Sequence, residues 1–244
     1  MNTQLLFQIL DWDSNLFEYK VAKISAQNLN RNYLKKILSR LSRLNIKLVY
    51  WFVDPNDKKS NEAAKKNGGF LADDKITYKI SPSNYNFQEL DNQHLQSYLN
   101  KPINKNILSL ALQSGFYSRY RQDKKFAHNE FTKLYTRWLE RSLNGEIAKD
   151  VIVYLDNESE KGLVTLEVKD NYGSIGLLAV DKKYRGRSIG RQLINAALIK
   201  FKAYGINKVK VTTQKKNMGA CKFYEKIGFV EESVQNVYHF WLNE

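Results

Sequence analysis

Residues 177–194 read LLAVDKKYRGRSIGRQLI, and the fold follows from how this stretch is read. The apolar run Leu177 to Val180 predicts a strand, and a helical pattern begins near Gly190. Between them lies a basic loop holding Arg185, Gly186, Arg187, Ser188, Ile189 and Gly190. A strand that passes through small residues into a helix makes an anion site, because the loop and first helical turn expose backbone N–H groups. The helix dipole adds favourable potential for a pyrophosphate, and Arg185 and Arg187 supply charge. A solvated turn capped by Ser188 would give the same pattern, so the neighbouring sequence has to decide.

Around this junction the pattern is regular. DVIVYLD, KGLVTLEVKD and SIGLLAV, separated by NESE and NYG, predict an antiparallel meander of three strands after residue 150. A helix over roughly 188–204 ends at Gly205, NKVKVTT forms a strand, a helix over roughly 217–226 ends near Gly228, and NVYHFWL closes the chain as a strand. Ahead of the meander, Phe131, Leu134, Trp138 and Leu139 mark one stripe of a long helix. The segment 87–114 reads as two helices split near Pro102.

The first 80 residues predict a separate α/β unit. Leu34, Ile37, Leu38, Leu41 and Leu44 fall at helical spacing, IKLVYWFV at 46–53 is a strand buried on both faces, a short helix covers 58–67, and FLADDKITYKI returns as a strand. SPSNYN at 81–86 reads as a linker. We therefore expect an N-terminal α/β domain over 1–100 and a catalytic domain over 101–244. Asn61 with AAKKNGGF in the first half echoes Asn217 with CKFYEKIGF in the second. With the two Gly-Phe steps aligned, the first copy is three residues shorter and sets Lys65 against Tyr224. Chance and a degenerate copy of half the catalytic unit explain this equally well.

The loop from Arg185 to Gly190 resembles the phosphate loop of the GNAT superfamily of acetyltransferases, which runs Gln or Arg, x, x, Gly, x, Gly or Ala. Here Ser188 replaces the middle Gly, a change that would disfavour a left-handed conformation there. ACKFYEKIGF, preceded by Asn217, is similar to the closing helix of that superfamily with its FYxxxGF signature. The resemblance covers about 115–244. It implies an α/β fold with a mixed central sheet whose fourth and fifth strands splay apart, flanked by helices, and acetyl-CoA as co-substrate. The pantetheine arm would bond the backbone of Leu178 and Val180, an N–H near Leu178 or Ala179 would face the thioester oxygen, and Gly190 and its loop would take the pyrophosphate.

Transfer needs a neutral amine to attack the thioester and an acid to protonate the departing thiolate. Tyr224 stands where the family carries its general-acid tyrosine, whereas Phe223 reads as a core aromatic. Cys221 invites an acyl-cysteine route, but a lone helical cysteine without a neighbouring base reads as a small buried hydrophobe. Direct transfer in a ternary complex is therefore expected. The base stays open among Tyr154, Glu167, His128 and an N-terminal acidic residue.

LDWDSNLFEYKVAKI at 10–24, SGFYSRYRQD at 114–123 and YHFWL at 238–242 resemble the bacterial acetyltransferases of dTDP-linked 4-amino-4,6-dideoxy sugars, the dTDP-fucosamine type. That resemblance implies a nucleotide-sugar acceptor and a role in O-antigen or other polysaccharide biosynthesis. Phe116, Tyr117 and Tyr120 could stack on a base or sugar face, and Arg119 and Arg121 could pair with a diphosphate. The same loop could instead dock the long helix onto the sheet. Asp11 to Ser14 read as a turn anchored by Trp12, with the rim of a sugar pocket as the alternative.

The chain of 244 residues carries 39 Lys and Arg against 25 Asp and Glu, a formal net charge of +14. The lysines are spread out and form no dense basic run with interleaved aromatics, which argues against a nucleic-acid partner and suits small polyanionic ligands. One cysteine excludes an internal disulfide, and His94, His128 and His239 have no metal-site spacing. No apolar run reaches about 18 residues, so no membrane span is expected, and we read the protein as cytoplasmic. A homodimer stays open. The alternatives kept beside the sugar-nucleotide reading are an acetyltransferase for another amine (protein N-terminus, polyamine or antibiotic) and a noncatalytic nucleic-acid-binding module on the same fold.

Overall fold

The computed structural model describes residues 6–87, 89, 93–126 and 129–242. Among these residues ten strands form one mixed sheet: β1 (Phe7–Ile9), β2 (Val21–Ile24), β3 (Leu48–Val53), β4 (Phe70–Ile80), β5 (Leu95–Ser97), β6 (Asp150–Asp156), β7 (Ser159–Lys169), β8 (Tyr172–Val180), β9 (Val209–Gln214) and β10 (Val230–Trp241). Among the described residues eight α-helices flank them: α1 (Asp11–Phe17), α2 (Arg31–Arg43), α3 (Lys58–Lys66), α4 (Lys105–Ser114), α5 (Arg119–Gln122), α6 (Glu130–Leu143), α7 (Ile189–Ala203) and α8 (Met218–Ile227).

The strand order is β1-β2-β3-β10-β4-β9-β8-β7-β6-β5. β10 from the C-terminal end thus inserts between β3 and β4, and β4 inserts between β10 and β9. The two segments read separately from sequence contribute to one sheet. Three cores hold it. One packs α7 and α8 on β4, β8 and β9 through Leu193, Leu198, Phe201, Tyr224 and Phe229, and another packs α2 and α3 around Trp51 and Phe240. The remaining core lies under α1, α4 and α6, where Phe17 and Tyr50 meet Leu177 and Ala179.

The repeated element is visible in the backbone, but not in the alignment set by the Gly-Phe letters. Asp57 caps α3 through Ser60 N–H as Asn217 caps α8 through Ala220 N–H. Gly68 (φ 79°) and Gly228 (φ 109°) both end their helices left-handed. Gly69 N–H bonds Ala64 O as Phe229 N–H bonds Tyr224 O. The two units therefore have equal spacing from cap to strand, and the counterpart of Tyr224 is Ala64, not Lys65. Asn61, aligned with Asn217 from sequence, instead sits one turn into α3. Its Oδ1 accepts from Asn236 Nδ2 at 2.7 Å and from the Tyr238 hydroxyl at 2.9 Å, which ties α3 to β10.

Three further expectations change. Among its described residues the 87–114 segment holds one helix, α4, preceded by β5; Leu95 to Ser97 pair with β6, and Ser97 Oγ donates to Asp150 at 2.7 Å, so edge pairing overrides the helical pattern there. Asp11 to Ser14 open α1 rather than forming a turn, and Trp12 is 42% exposed while Phe17 is the buried anchor. The last strand begins at Val230, six residues before the apolar run, because pairing with β4 carries its polar first half.

Candidate functional site

β8 and β9 are parallel neighbours only at Gly173–Val209, Ser174–Lys210 and Ile175–Val211; beyond these pairs no ladder joins them. The divergence coincides with an irregularity in the β7–β8 register between Val164 and Leu166, where Leu177 N–H donates to Thr165 Oγ1 at 2.8 Å. Gly176 at this kink has no room for a side chain: a Cβ would meet Glu167 Oε1 and Thr165 Oγ1. Past the kink, Asp181 N–H bonds Lys161 O, so strand alternation turns Ala179 toward β7 and leaves the peptide groups of Leu178 and Val180 facing the gap. Of the two residues named for the thioester oxygen, Leu178 therefore presents its N–H to the opening. The Val180 carbonyl accepts from Arg185 Nε at 3.0 Å.

The chain leaves β8 through a turn that Asp181 caps at Lys183 N–H, then runs through Gly186 (φ 81°) and Ser188 (φ 61°) into α7. Ser188 does adopt the left-handed conformation, and its side chain makes no capping bond. The first N–H groups of α7 are thus left uncapped, beside exposed Arg185 and Arg187. Arg187 and Lys161 both stand over the Tyr184 ring, at 5.0 and 4.6 Å. The equivalent N-terminal place differs: β2 and β3 stay paired from Val21 to Ile24, Trp51 Nε1 donates to Ala26 O at 2.9 Å, and Asn30 caps α2 through Tyr33 N–H. That half has neither a gap nor an open helix start.

Gly190 packs beneath α8, where an added Cβ would lie 3.1 Å from Phe223 and 3.6 Å from Val180. On the next position of α8, Tyr224 is 5% exposed, with its ring 5.9 Å from Tyr78 and 5.6 Å from Phe229. Burial, and then the neighbouring Cys221, hold its phenol well above the ordinary value, so it keeps its proton. The Cys221 thiol is half-buried and also raised by burial, and it lies 3.5 Å from Gln214 O. It is not a thiolate. Asn217 uses both ends of its amide locally, as the α8 cap and toward Thr213 Oγ1 at 3.4 Å.

Of the residues weighed as base, Glu167 is the one at the kink, against Gly176, with Trp138 Nε1 donating to it at 3.0 Å and Lys169 Nζ at 2.8 Å. Tyr154 lies on β6 with its ring stacked on His94 at 5.0 Å, and His128 lies outside the described residues. The FYSRYR residues separate. Phe116 and Tyr117 are exposed and pack edge to face, and Arg121 is exposed over Phe131 at 5.3 Å. Arg119 turns inward over Tyr50 at 4.4 Å, because one helical turn, α5, directs neighbouring side chains apart. Sequence reading missed what surrounds it: Asp13, Tyr50 and Asp73, which arrive from α1, β3 and β4.

A separate cavity of about 760 Å³, lined by Lys79, Tyr85, Arg191, Lys208, Ile227 and Val230, lies where β9 begins, at the opposite end of that strand from the gap. Among the described residues no group of three or more His, Cys, Asp or Glu side chains could hold a metal ion, and no helix is long and apolar enough to cross a membrane.

The comparisons agree with this geometry. Residues 110–229 match the model of the acetyltransferase (GNAT) family. The spore coat polysaccharide biosynthesis protein SpsD of Bacillus subtilis is 27% identical over 135 residues, 55% of this chain and 46% of SpsD, so the chain spans under half of that relative's length. N-alpha-acetyltransferase 30 of Schizosaccharomyces pombe is 28% identical over 119 residues, 47% of this chain and 78% of that protein. Among solved structures, a functionally unknown conserved protein of Staphylococcus epidermidis shares the fold with a TM-score of 0.67 at 11% identity, covering 95% of this chain and 89% of that one. A tandem GNAT protein from the clavulanic acid biosynthesis pathway does so at 0.59 and 12%, covering 92% and 76%. Curated homologues that match part of the chain thus carry named acetyltransferase activity, the chain shares its fold with solved structures that include a GNAT protein, and its residues 110–229 match the acetyltransferase (GNAT) family model.

Proposed function

We propose that the chain moves an acetyl group from acetyl-CoA to a primary amine, and that the amine is the 4-amino group of a dTDP-linked 4-amino-4,6-dideoxy sugar. The observation that carries acetyl transfer is the stretch of β8 after Ile175 that has no ladder to β9, followed through the basic loop by the uncapped start of α7. The pantetheine amides would pair with Leu178 and Val180, and the pyrophosphate would meet the N–H groups from Ser188 to Gly190 with Arg185 and Arg187 beside them.

In this scheme the amine lone pair attacks the thioester carbon, and the oxygen takes up negative charge facing the Leu178 N–H. Collapse breaks the carbon–sulfur bond, the Tyr224 hydroxyl gives its proton to the leaving sulfur, and the proton shed by the attacking nitrogen passes through solvent and restores the phenol. A phenol held protonated by burial suits that step. No covalent enzyme intermediate is needed, and Cys221 takes no part.

The sugar-nucleotide acceptor rests on the LDWDS start, the aromatic and arginine loop, and the name of SpsD as a polysaccharide biosynthesis protein. The second reading, a protein N-terminal amine, is favoured by the N-alpha-acetyltransferase 30 relatives. Thiol release from acetyl-CoA, measured over a panel of dTDP- and UDP-linked amino sugars, free amino sugars, polyamines and short peptides, separates them. Turnover with the nucleotide-linked amine well above all others is the expected result. Equal or better turnover with a peptide or polyamine refutes the sugar acceptor and leaves acetyl transfer standing.

A further inference from the structure

Five buried side-chain polar atoms lack a hydrogen-bond partner among the described residues: Asp73 Oδ1, Gln113 Oε1, Ser118 Oγ, Arg119 Nε and His239 Nε2. Such atoms are costly inside a fold, and native structures keep few of them. Three come from β4, α5 and β10 yet gather at one place. The guanidinium carbon of Arg119 stands 4.4 Å from the Tyr50 ring centroid, and the His239 ring stands 4.9 Å from it. Arg119 also acts electrostatically on both Asp73 and His239.

The sheet register explains the gathering. Lys23 pairs with Tyr50, Tyr50 with His239, Phe52 with Val237, Val237 also with Asp73, and Lys75 with Gln214. Cross-strand partners project to the same face, and residues two apart on a strand do so as well. Lys23, Tyr50, Phe52, His239, Asp73, Lys75 and Gln214 therefore share one face, under Arg119 and Tyr120. Asp73 is 6% exposed and His239 is fully buried, whereas Lys23, Phe52, Lys75 and Arg119 are half-buried. The unpaired atoms lie at a buried base, and half-buried side chains cover them. Three cations surround the Phe52 ring, with Lys23 Nζ at 4.8 Å, Lys75 Nζ at 5.5 Å and the Arg119 guanidinium at 5.6 Å. Extending the β8–β9 register three residues past Ile175 and Val211 sets Gln214 level with Leu178, so the cluster begins beside the gap.

Its chemistry selects a ligand class. His239 Nδ1 lies 2.7 Å from Asp123 Oδ2, which also accepts from Trp241 Nε1 at 2.9 Å. Burial keeps the ring neutral, its one proton then lies on Nδ1, and Nε2 is left as an acceptor. Asp73 Oδ1 is a second acceptor and Arg119 Nε–H a donor. Hydroxyls on a sugar ring both donate and accept, the ring's C–H face fits an aromatic floor, and cations at a rim fit phosphate.

The geometry points to this pocket as the site that holds a sugar phosphate of the acceptor, its hydroxyls on Asp73, Arg119 and His239 and its phosphate between Lys23 and Lys75. The assignment deepens the proposed acetyl transfer and rests on it only for where the amine ends up. Calorimetry on the full chain tests it, with dTDP-4-amino-4,6-dideoxyglucose as one titrant and CoA as the other. Asp73→Asn and Lys75→Met should each weaken the sugar nucleotide at least tenfold while CoA affinity stays within twofold. Wild-type affinity for the sugar nucleotide in both variants overturns the pocket, and so does a wild-type chain that binds no sugar nucleotide. If Asp73→Asn does not fold, Lys75→Met, at a half-buried position, decides alone. If CoA does not bind but the sugar nucleotide does and the variants weaken it, the pocket stands and acetyl transfer falls.

Discussion

A side chain at Gly190 would meet the Phe223 ring at 3.1 Å, so the first turn of α7 and the face of α8 next to Tyr224 touch across the proposed pyrophosphate site. Gly190→Trp should abolish CoA binding in calorimetry. Gly190→Ala forces only a small shift, costs about 1 kcal/mol of stability by overpacking, and should bind CoA measurably. Unchanged affinity in the tryptophan variant would remove the loop from the cofactor site.

Ser188 holds φ 61° without a compensating cap bond. A left-handed residue with a Cβ carries roughly 1–2 kcal/mol of strain, part of which glycine loses again to its freer unfolded chain. Ser188→Gly should therefore raise stability by about 0.5–1 kcal/mol in urea denaturation without weakening CoA. A destabilised variant would mean that the Ser188 side chain holds the loop.

Tyr224→Phe should keep CoA affinity and lose roughly 10²-fold to 10⁴-fold in turnover, the scale of one positioned proton donor. Cys221→Ala should stay near wild type. The reverse pattern, together with an acetylated Cys221 trapped by mass spectrometry, would replace direct transfer by an acyl-enzyme route.

Burial, opposed by Arg119, lifts the Asp73 carboxyl from 3.8 to about 6. The folded chain then holds that proton more tightly than the unfolded one, so the contribution is present below pH 3.8 and lost as pH rises through about 6. Wild-type stability minus that of Asp73→Asn should fall across this window by up to about 3 kcal/mol and level off above it. His239 has the opposite sign: burial, opposed by Asp123, pushes it to about 4, so its contribution is present above 6.5 and lost as pH falls. The subtraction cancels that part. A difference independent of pH would show Asp73 to be solvated.

Arg119→Ala and Arg121→Ala should also differ, since the first faces the Tyr50 pocket and the second lies exposed over Phe131. Removing Arg119 should raise the KM for the sugar nucleotide at least tenfold with little change for acetyl-CoA, and removing Arg121 should change both by less than threefold. Equal effects would mean that the whole loop binds the acceptor.

The strand, basic loop and helix from Leu177 through Gly190 were legible from sequence, as were the meander, the long helix and the αL glycines that end α7 and α8, because these follow from local periodicity and from backbone conformations few residues tolerate. The left-handed demand on Ser188 could be posed from the sequence but answered only by the backbone. Three things had no local signal. Which strands neighbour which is a long-range choice, so the exchange of β4 and β10 could not be read from either strand alone. β5 was missed because a three-residue edge strand is held by its partner rather than by its own pattern. The cluster of Asp73, Arg119 and His239 draws on positions 46 to 166 residues apart, each unremarkable in its own segment; only cross-strand register brings their unpaired atoms together.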